Sequence, residues 1–195
     1  CIGRDSGNAA ASGNNNSCFG VDSGGSLTTG GQNTFLGYNS GNAVADRNNN
    51  TLVGASSDVT DNTVDGACIL GVSANAGENA IAIGLLSNAR GLNCVSIGNG
   101  AGNSVASGQS NICVGVNSGN ALTSSANFNL LIGGNTGDAI TTGNSNILIG
   151  TNTGQSITTT NGNVMIGDSV GANADGDNLV IIGQGADTTA GSIQS

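Results

Sequence analysis

Asn146-Ile147-Leu148-Ile149-Gly150 decides the fold: an amide residue, three large aliphatic residues and a glycine follow one another. Related pentads recur along the whole chain of 195 residues, for example at residues 33–37 and 129–133. A variant with one additional residue occurs at 79–84, 93–98 and 178–183. A fixed short period is typical of repeat architectures, so the chain reads as a repeat protein.

The glycine that closes each unit sets the period. These glycines are Gly3, Gly20, Gly37, Gly54, Gly71, Gly84, Gly98, Gly115, Gly133, Gly150, Gly167 and Gly183. A long unit contains the short apolar strand, a turn such as Asn39-Ser40-Gly41, a weaker second strand and a polar turn. Two strands and two turns in about 13–18 residues predict one coil of a parallel β-solenoid. The fold class is therefore all-β, with about 12 coils stacked roughly 4.8 Å apart into a rod about 53 Å long.

The repeat runs from end to end, so residues 1–195 are predicted to be a single β-solenoid domain. Long coils occupy 1–71, short coils occupy 71–98, and long coils return over 98–195. Because the short units lack about three residues of the second turn, the rod should have a waist there. Cys1 lies inside a repeat unit, and we therefore expect the chain to be a segment of a longer fibre.

Composition argues against several classes of function. The chain has 35 glycines, no proline, no histidine and no tryptophan, and its net charge is −9. Its only cations are Arg4, Arg47 and Arg90, whereas nucleic-acid binding and polybasic membrane contact need clustered Lys or Arg. No apolar run approaches the roughly 20 residues of a membrane helix, so we expect no membrane insertion. A disordered Gly/Ser/Asn-rich segment is the alternative, but disorder would not place a large apolar residue before each closing glycine.

Strand alternation predicts which residues face inward. We take the residue before each closing glycine as facing into the coil. This assigns the coil core to Phe19, Leu36, Val53, Leu70, Ile83, Ile97, Val114, Ile132, Ile149, Ile166 and Ile182. The residue before that one then faces outward, and a continuous exposed apolar stripe should meet another chain. This assigns the subunit interface to Cys18, Phe35, Leu52, Ile69, Cys113, Leu131, Leu148, Met165 and Ile181.

Residues 79–84, followed by Ser87-Asn88-Ala89-Arg90-Gly91-Leu92-Asn93, closely resemble the 14-residue repeat of trimeric autotransporter adhesin heads. The 17-residue units, such as 33–41, look like the longer repeats of phage tail-fibre and bacterial surface proteins. The resemblance covers nearly all of the chain. It implies a left-handed parallel β-roll, a homotrimer around one axis and a role in surface attachment.

No residue set suits catalysis or a cofactor, and we expect no enzyme activity, no cofactor and no metal. Without histidine there is no Ser-His or Cys-His pair. Residues 98–102 resemble a phosphate loop only in their glycines, because no helix can follow them. Calcium candidates are Asp58, Asp61 and Asp65 and the pair Asp175 and Asp177, for which we favour solvated turn carboxylates.

Three further residue columns have structural and functional interpretations. The asparagines that open the units should form an amide ladder, with carbohydrate binding as the alternative; they are Asn16, Asn33, Asn50, Asn111, Asn129, Asn146 and Asn163. The five cysteines should be buried free thiols, although a Cys1–Cys18 bridge between neighbouring coils is geometrically conceivable. Threonine pairs such as Thr141-Thr142 and Thr158-Thr159 suggest an ice-binding array, which breaks at Ala45-Asp46 and Asn62-Thr63.

The sequence therefore predicts a structural segment of a trimeric extracellular, cell-surface or virion fibre. It serves surface attachment as a stalk, a spacer or an adhesive head. Its partners are expected to be further copies of itself and at most a weak multivalent receptor or glycan, because aromatic residues are scarce. The alternative is a water-ordering β-solenoid with threonine arrays.

Overall fold

A computed structural model describes residues 1–9, 12–61, 63–103 and 108–188, and all of its strands are short. The strands are β1 (Ser17–Phe19), β2 (Thr34–Leu36), β3 (Thr51–Val53), β4 (Asp58–Val59), β5 (Cys68–Leu70), β6 (Asn75–Ala76), β7 (Ile81–Ile83), β8 (Asn88–Ala89), β9 (Val95–Ile97), β10 (Ile112–Val114), β11 (Leu130–Ile132), β12 (Ile147–Ile149), β13 (Val164–Ile166) and β14 (Val180–Ile182). Across the described ranges, no helix is long and apolar enough to span a bilayer.

The strands form two parallel sheets. An 11-stranded sheet has the order β1-β2-β3-β5-β7-β9-β10-β11-β12-β13-β14, and a 3-stranded sheet has the order β4-β6-β8. Each residue pairs with its equivalent in the next coil, as Leu131 does with Leu148 and Leu148 with Met165. At the first coil, Ile2 bridges Phe19 without forming a strand. The predicted parallel β-solenoid is confirmed, with fewer turns than the 12 predicted, while its left-handed winding and its trimeric state stay predictions.

The second strand that was predicted for the long units is largely wrong. Within the described residues, only β4, β6 and β8 have strand pairing on that side of the coil. In the long units that contain Leu27, Ile140 and Ile157, the same side consists of bends and turns, although these three residues point inward and are fully buried. Burial therefore follows the predicted apolar positions even where backbone pairing does not.

The predicted assignment of the inner and outer faces of the large sheet is wrong: the residues predicted as subunit interface face inward, and those predicted as coil core face outward. The middle residue of each strand is buried inside the coil, so none of the predicted interface residues is available to a partner. This holds for Cys18, Phe35, Leu52, Ile69, Cys113, Leu131, Leu148, Met165 and Ile181. The residues predicted as coil core face outward and are exposed or half-exposed: Phe19, Leu36, Val53, Leu70, Ile83, Ile97, Val114, Ile132, Ile149, Ile166 and Ile182.

The opening asparagine explains this inversion. In a strand, residues two apart share a face, so Asn33 and Phe35 point the same way while Thr34 and Leu36 point the opposite way. Asn33 is fully buried, because its amide forms hydrogen bonds inside the stack. The sequence carried the signal, since Thr34 shares its face with Leu36 and a hydroxyl is easier to leave in water than to bury.

The closing glycine is the corner at which the strand ends. Gly150 has φ +133, and a Cβ atom there would lie 2.0 Å from the carbonyl oxygen of Gly167 in the next coil. Only glycine combines this dihedral with such close backbone stacking. The chain then turns through Asn152, whose φ of 53 lies in the left-handed region that asparagine tolerates.

Interior side chains become smaller where the coils become shorter. In the long coils the interior holds large residues such as Phe35 and Leu52. Between 67 and 101 the buried positions are mostly alanine: Ala67, Ala74, Ala76, Ala80, Ala82, Ala89 and Ala101. A shorter coil encloses a smaller cross-section, and close packing then requires smaller side chains. This interior supports the predicted waist.

Substitution at two adjacent residues tests the corrected faces. Leu148→Ala should lower the free energy of unfolding by about 2–5 kcal/mol, because it removes a fully buried side chain and leaves a cavity. Ile149→Ala should cost clearly less, since Ile149 lies on the outer face of the same strand. Urea unfolding measures both values, at one fixed protein concentration low enough to dissociate any oligomer, so that contacts between chains at Ile149 do not contribute. A larger loss for Ile149→Ala would contradict the assignment.

Candidate functional site

The outer face of the large sheet is the most distinctive surface of the molecule. We define the outer strip as the first and third residues of the 11 strands of that sheet. The first column is Ser17, Thr34, Thr51, Cys68, Ile81, Val95, Ile112, Leu130, Ile147, Val164 and Val180. The third column comprises the eleven residues that were predicted as coil core. No residue in either column is charged, and from Ile81 onward every residue of both columns is aliphatic.

Side chains of the outer strip are well exposed. Leu70 exposes 51 % of its surface and Ile182 exposes 64 %, whereas the middle residues of the same strands are buried. A further column lies beside the strip, formed by the residue after each closing glycine. Its apolar members include Tyr38, Val72 and Val116, and each of these exposes about half of its surface or more. The strip is therefore an exposed, uncharged and mainly apolar band that runs along the stack.

The predicted asparagine ladder is present on the inner side of the same sheet. The side-chain oxygen of Asn129 accepts hydrogen bonds from the backbone N–H and the Nδ2 of Asn146, both at 3.0 Å. Asn146 in turn accepts from the backbone N–H of Asn163 at 3.0 Å, and its own Nδ2 donates to the Thr160 carbonyl at 3.0 Å. All seven predicted asparagines take part in such bonds, in two runs.

The ladder is interrupted where the coils are short. Ala67, Ala80 and Cys94 occupy the asparagine position there. The thiol of Cys94 partly replaces the amide, because it donates to the Gly108 carbonyl and accepts from the backbone N–H of Asn111 at 3.4 Å. The ladder side chains other than Asn16 are buried, so they offer no surface for carbohydrate.

A second ladder, which the sequence interpretation missed, runs along the polar turn two residues earlier. Here the side-chain oxygen of Asn127 accepts a hydrogen bond from the backbone N–H of Gln109. In the same way Asn144 accepts from the backbone N–H of Asn127, and Asn161 accepts from that of Asn144, with N···O distances of 2.8–2.9 Å. Asp177 ends this run by accepting from the backbone N–H of Asn161 at 2.6 Å. The repeated Asn-x-Asn spacing, as in 127–129 and 144–146, was the available signal.

A buried hydroxyl column provides a third set of bonds between coils. Ser40 donates to the Leu52 carbonyl and Ser118 donates to the Leu131 carbonyl, both at 3.2 Å. Thr153 donates to the Gly167 carbonyl at 2.5 Å. These residues come from the predicted Asx-Ser/Thr-Gly turns, whose middle hydroxyl thus has a structural role inside the coil.

Four of the five candidate calcium aspartates, Asp58, Asp61, Asp65 and Asp177, accept hydrogen bonds from backbone N–H groups. Asp58 accepts from the backbone N–H of Ala43 with both carboxylate oxygens, at 3.1 and 2.9 Å. Burial raises the pKa of Asp58, and these backbone bonds oppose that rise. Asp65 accepts from the backbone N–H of Asn48 at 2.6 Å. Hydrogen bonds from Thr63 lower the pKa of Asp61. Within the described residues no group of three or more His, Cys, Asp or Glu is arranged to hold a metal ion.

The five cysteines divide by strand position. Cys18 and Cys113 are middle residues and are buried, and burial raises the pKa of Cys113 to about 12. Cys94 is buried in the asparagine column, and burial raises the pKa of its thiol. Cys1 and Cys68 are exposed, which corrects the expectation of burial for these two. All five thiols are free, including the Cys1 and Cys18 pair that could have formed a bridge.

Several threonine hydroxyls of the proposed ice-binding array act within the stack. Thr28 Oγ1 donates to the Ala45 carbonyl at 3.0 Å, and Thr141 Oγ1 donates to the Thr158 carbonyl at 3.1 Å. A hydroxyl that donates to a neighbouring coil has no second proton to offer to ordered water. Asn62, at one break of the array, lies outside the described residues.

A matched pair of asparagines tests the weight of the inner ladder. Asn146→Ala should destabilise the fold by about 1–3 kcal/mol for each buried group that loses its partner, namely the Asn163 N–H and the Thr160 carbonyl. Asn161→Ala removes a ladder amide that is exposed to water and should cost within about 0.5 kcal/mol. Chemical denaturation measures the free energy of unfolding of both variants. Equal losses would show that burial of the amide does not determine how much a ladder asparagine stabilises the fold.

Comparison of the chain with protein-family models, with curated proteins and with solved structures finds no match.

Proposed function

We propose that this chain is a rigid spacer segment of a homotrimeric fibre that serves surface attachment, at a cell surface or on a virion. The observation that carries the proposal is the continuity of the stack: one sheet of 11 parallel strands runs through the described chain in a single register. Eleven such strands span about 48 Å at a spacing of roughly 4.8 Å. A rod of this kind holds whatever it carries at a fixed distance.

Resistance to bending is supported by the bonds between coils. Most long coils are tied to the next by backbone pairing, by the inner asparagine and by the buried hydroxyl, as at Asn146 and Thr153. A bend would have to break several of these hydrogen bonds at once. Each buried polar group that is left without a partner raises the free energy of the bent state. The side chains therefore favour a spacer over a flexible linker.

The lateral turns favour a spacer over an adhesive head. They consist mainly of Asn, Ser, Thr, Gly and Asp, and their exposed aromatic residues are Tyr38 and Phe128. Strong protein contacts usually centre on Trp, Tyr and Arg. Contacts with a receptor or glycan would then be weak individually and would gain from several copies on one fibre.

The outer strip supports the presence of more than one chain. A soluble monomer rarely exposes a contiguous apolar patch of more than a few hundred Å². The area of the outer strip, estimated from the spacing and length of its strands, is at or above that limit. Association of chains side by side would cover it. We propose three chains because the repeats resemble those of trimeric surface fibres.

Sedimentation velocity and equilibrium of the isolated chain test this proposal. We expect one elongated species with three times the mass of the 18.7 kDa chain. A monodisperse monomer or dimer over the micromolar range would contradict the trimeric fibre.

The same preparation tests the spacer against the adhesive head. On a glycan array and on cells, the isolated oligomer should give no binding tighter than the micromolar range. Submicromolar binding to one defined receptor that is lost when the long turns are shortened would favour the head instead.

A further inference from the structure

The outer strip has the size that an association surface requires. Its 11 strands give a length of about 48 Å, and its three-residue width of about 10 Å gives a planar area on the order of 500 Å². The flanking column widens it at Val21, Tyr38, Val72, Leu85 and Val116, to roughly 700 Å². A stable complex buries about 800 Å² on each partner, so the strip and its flank approach that area.

Charge does not oppose the meeting of two such strips. The chain carries a net charge of −9, but no charged residue lies in either column of the strip. Most carboxylates lie elsewhere, for example Asp58 in strand β4 of the small sheet and Asp177 in the polar turn, and the flanking column has one, Asp168, beside the tenth strand of the strip. Two copies can therefore bring the two columns of their strips together without placing like charges between them.

The repeat itself selects the partner. A partner that contacts the strip along its whole length must present apolar groups at the same spacing of roughly 4.8 Å and on a surface equally flat. A second copy of this chain meets that condition at every coil. The two columns would then interdigitate as do the facing sheets of a sandwich, about 10 Å apart.

Composition along the strip selects the orientation. The first column is polar in three successive strands, at Ser17, Thr34 and Thr51, and aliphatic from Ile81 to Val180. With the chains parallel and in register, the wholly aliphatic coils of one copy lie opposite those of another. An antiparallel arrangement of full overlap would place the coils of Ser17, Thr34 and Thr51 opposite wholly aliphatic coils.

We propose that copies of this chain associate side by side, parallel and in register, through the outer strip. The middle residues of the strands take no part in the contact. The proposal rests on the proposed function for the presence of several chains in the fibre, and it does not depend on their number.

Three lysine variants with the same change of charge test the surface, two within the strip and one outside it. Ile147→Lys places a cation in the strip and should weaken association by about tenfold or more, because the charge is desolvated without a partner. Thr159→Lys, an exposed residue outside the strip, should leave the association unchanged. Ile112→Lys, in another coil of the strip, should repeat the effect of Ile147→Lys. Sedimentation equilibrium measures the association, and circular dichroism shows that each variant is folded.

Cys68 tests the orientation, because it is the one cysteine of the strip. In a Cys1→Ser background, a short thiol-to-thiol crosslinker should join two chains through Cys68, and Cys68→Ser should abolish the product. In an antiparallel pair of full overlap, β5 would lie opposite β11, so the two Cys68 residues would be four coils apart along the axis, about 19 Å, in addition to the separation of the sheets, and the product should not form.

The outcomes separate this inference from the function proposed above. A dimer in place of a trimer, with both lysine effects and the Cys68 product present, supports the strip and contradicts the trimeric fibre. Association that Ile147→Lys leaves unchanged overturns the strip. Association without the Cys68 product overturns the parallel register. A chain that stays monomeric and binds neutral phosphatidylcholine vesicles instead would show that a lipid surface covers the strip, which overturns the inference.

Discussion

The hydrogen bond from the backbone N–H of one coil to the asparagine side chain of the previous coil is the constraint on which the structure depends. An asparagine that accepts from a neighbouring backbone, as Asn129 does from Asn146, must point into the coil. Strand alternation then forces the residue two positions later to point inward as well. In the coils that have the asparagine, the aliphatic core and the outer strip follow from this orientation, and parallel pairing in register carries it through the coils of Ala67, Ala80 and Cys94. The buried amide thus fixes the alignment of neighbouring coils as well as stabilising them.

The same constraint leaves an apolar surface on the outside. A strand of three residues with its middle residue buried exposes its first and third residues, and in this chain both are aliphatic over most of the stack. Strands that are apolar on both faces are typical of sheets that are covered on both sides. The coil itself covers the inner face, and the outer face is the surface that the proposed association of chains would cover. The polar turns complete the division, since they carry most of the charge and none of it enters the strip.

Sequence periodicity was sufficient for the fold but not for the faces. The pentad and its period predicted a parallel β-solenoid, and the spacing of Asx-Ser/Thr-Gly predicted turns whose left-handed residues, such as Asn39 and Asn152, are present. The faces were inverted because Leu36 and Phe35 are equally apolar, so hydrophobicity alone does not distinguish inside from outside. The decisive information lay in the polar neighbours: Thr34 shares the face of Leu36, and Asn33 shares the face of Phe35. The buried hydroxyls and the second ladder, which contains Asn127 and Asn144, were missed because their polarity suggested exposed turns. In the structure, hydrogen bonds between coils satisfy these polar groups.

Native thiol reactivity tests the central claim, that the middle residue of each strand and the opening asparagine position face inward. Cys18 and Cys113 are middle residues, Cys94 stands in the asparagine column, and Cys68 stands in the first column on the outer face. At concentrations low enough to dissociate any oligomer, a maleimide reagent followed by peptide mass spectrometry should label Cys68 rapidly and leave the other three unmodified until the chain unfolds. Labelling of Cys18 and Cys113 at the rate of Cys68 in the folded protein would contradict the account.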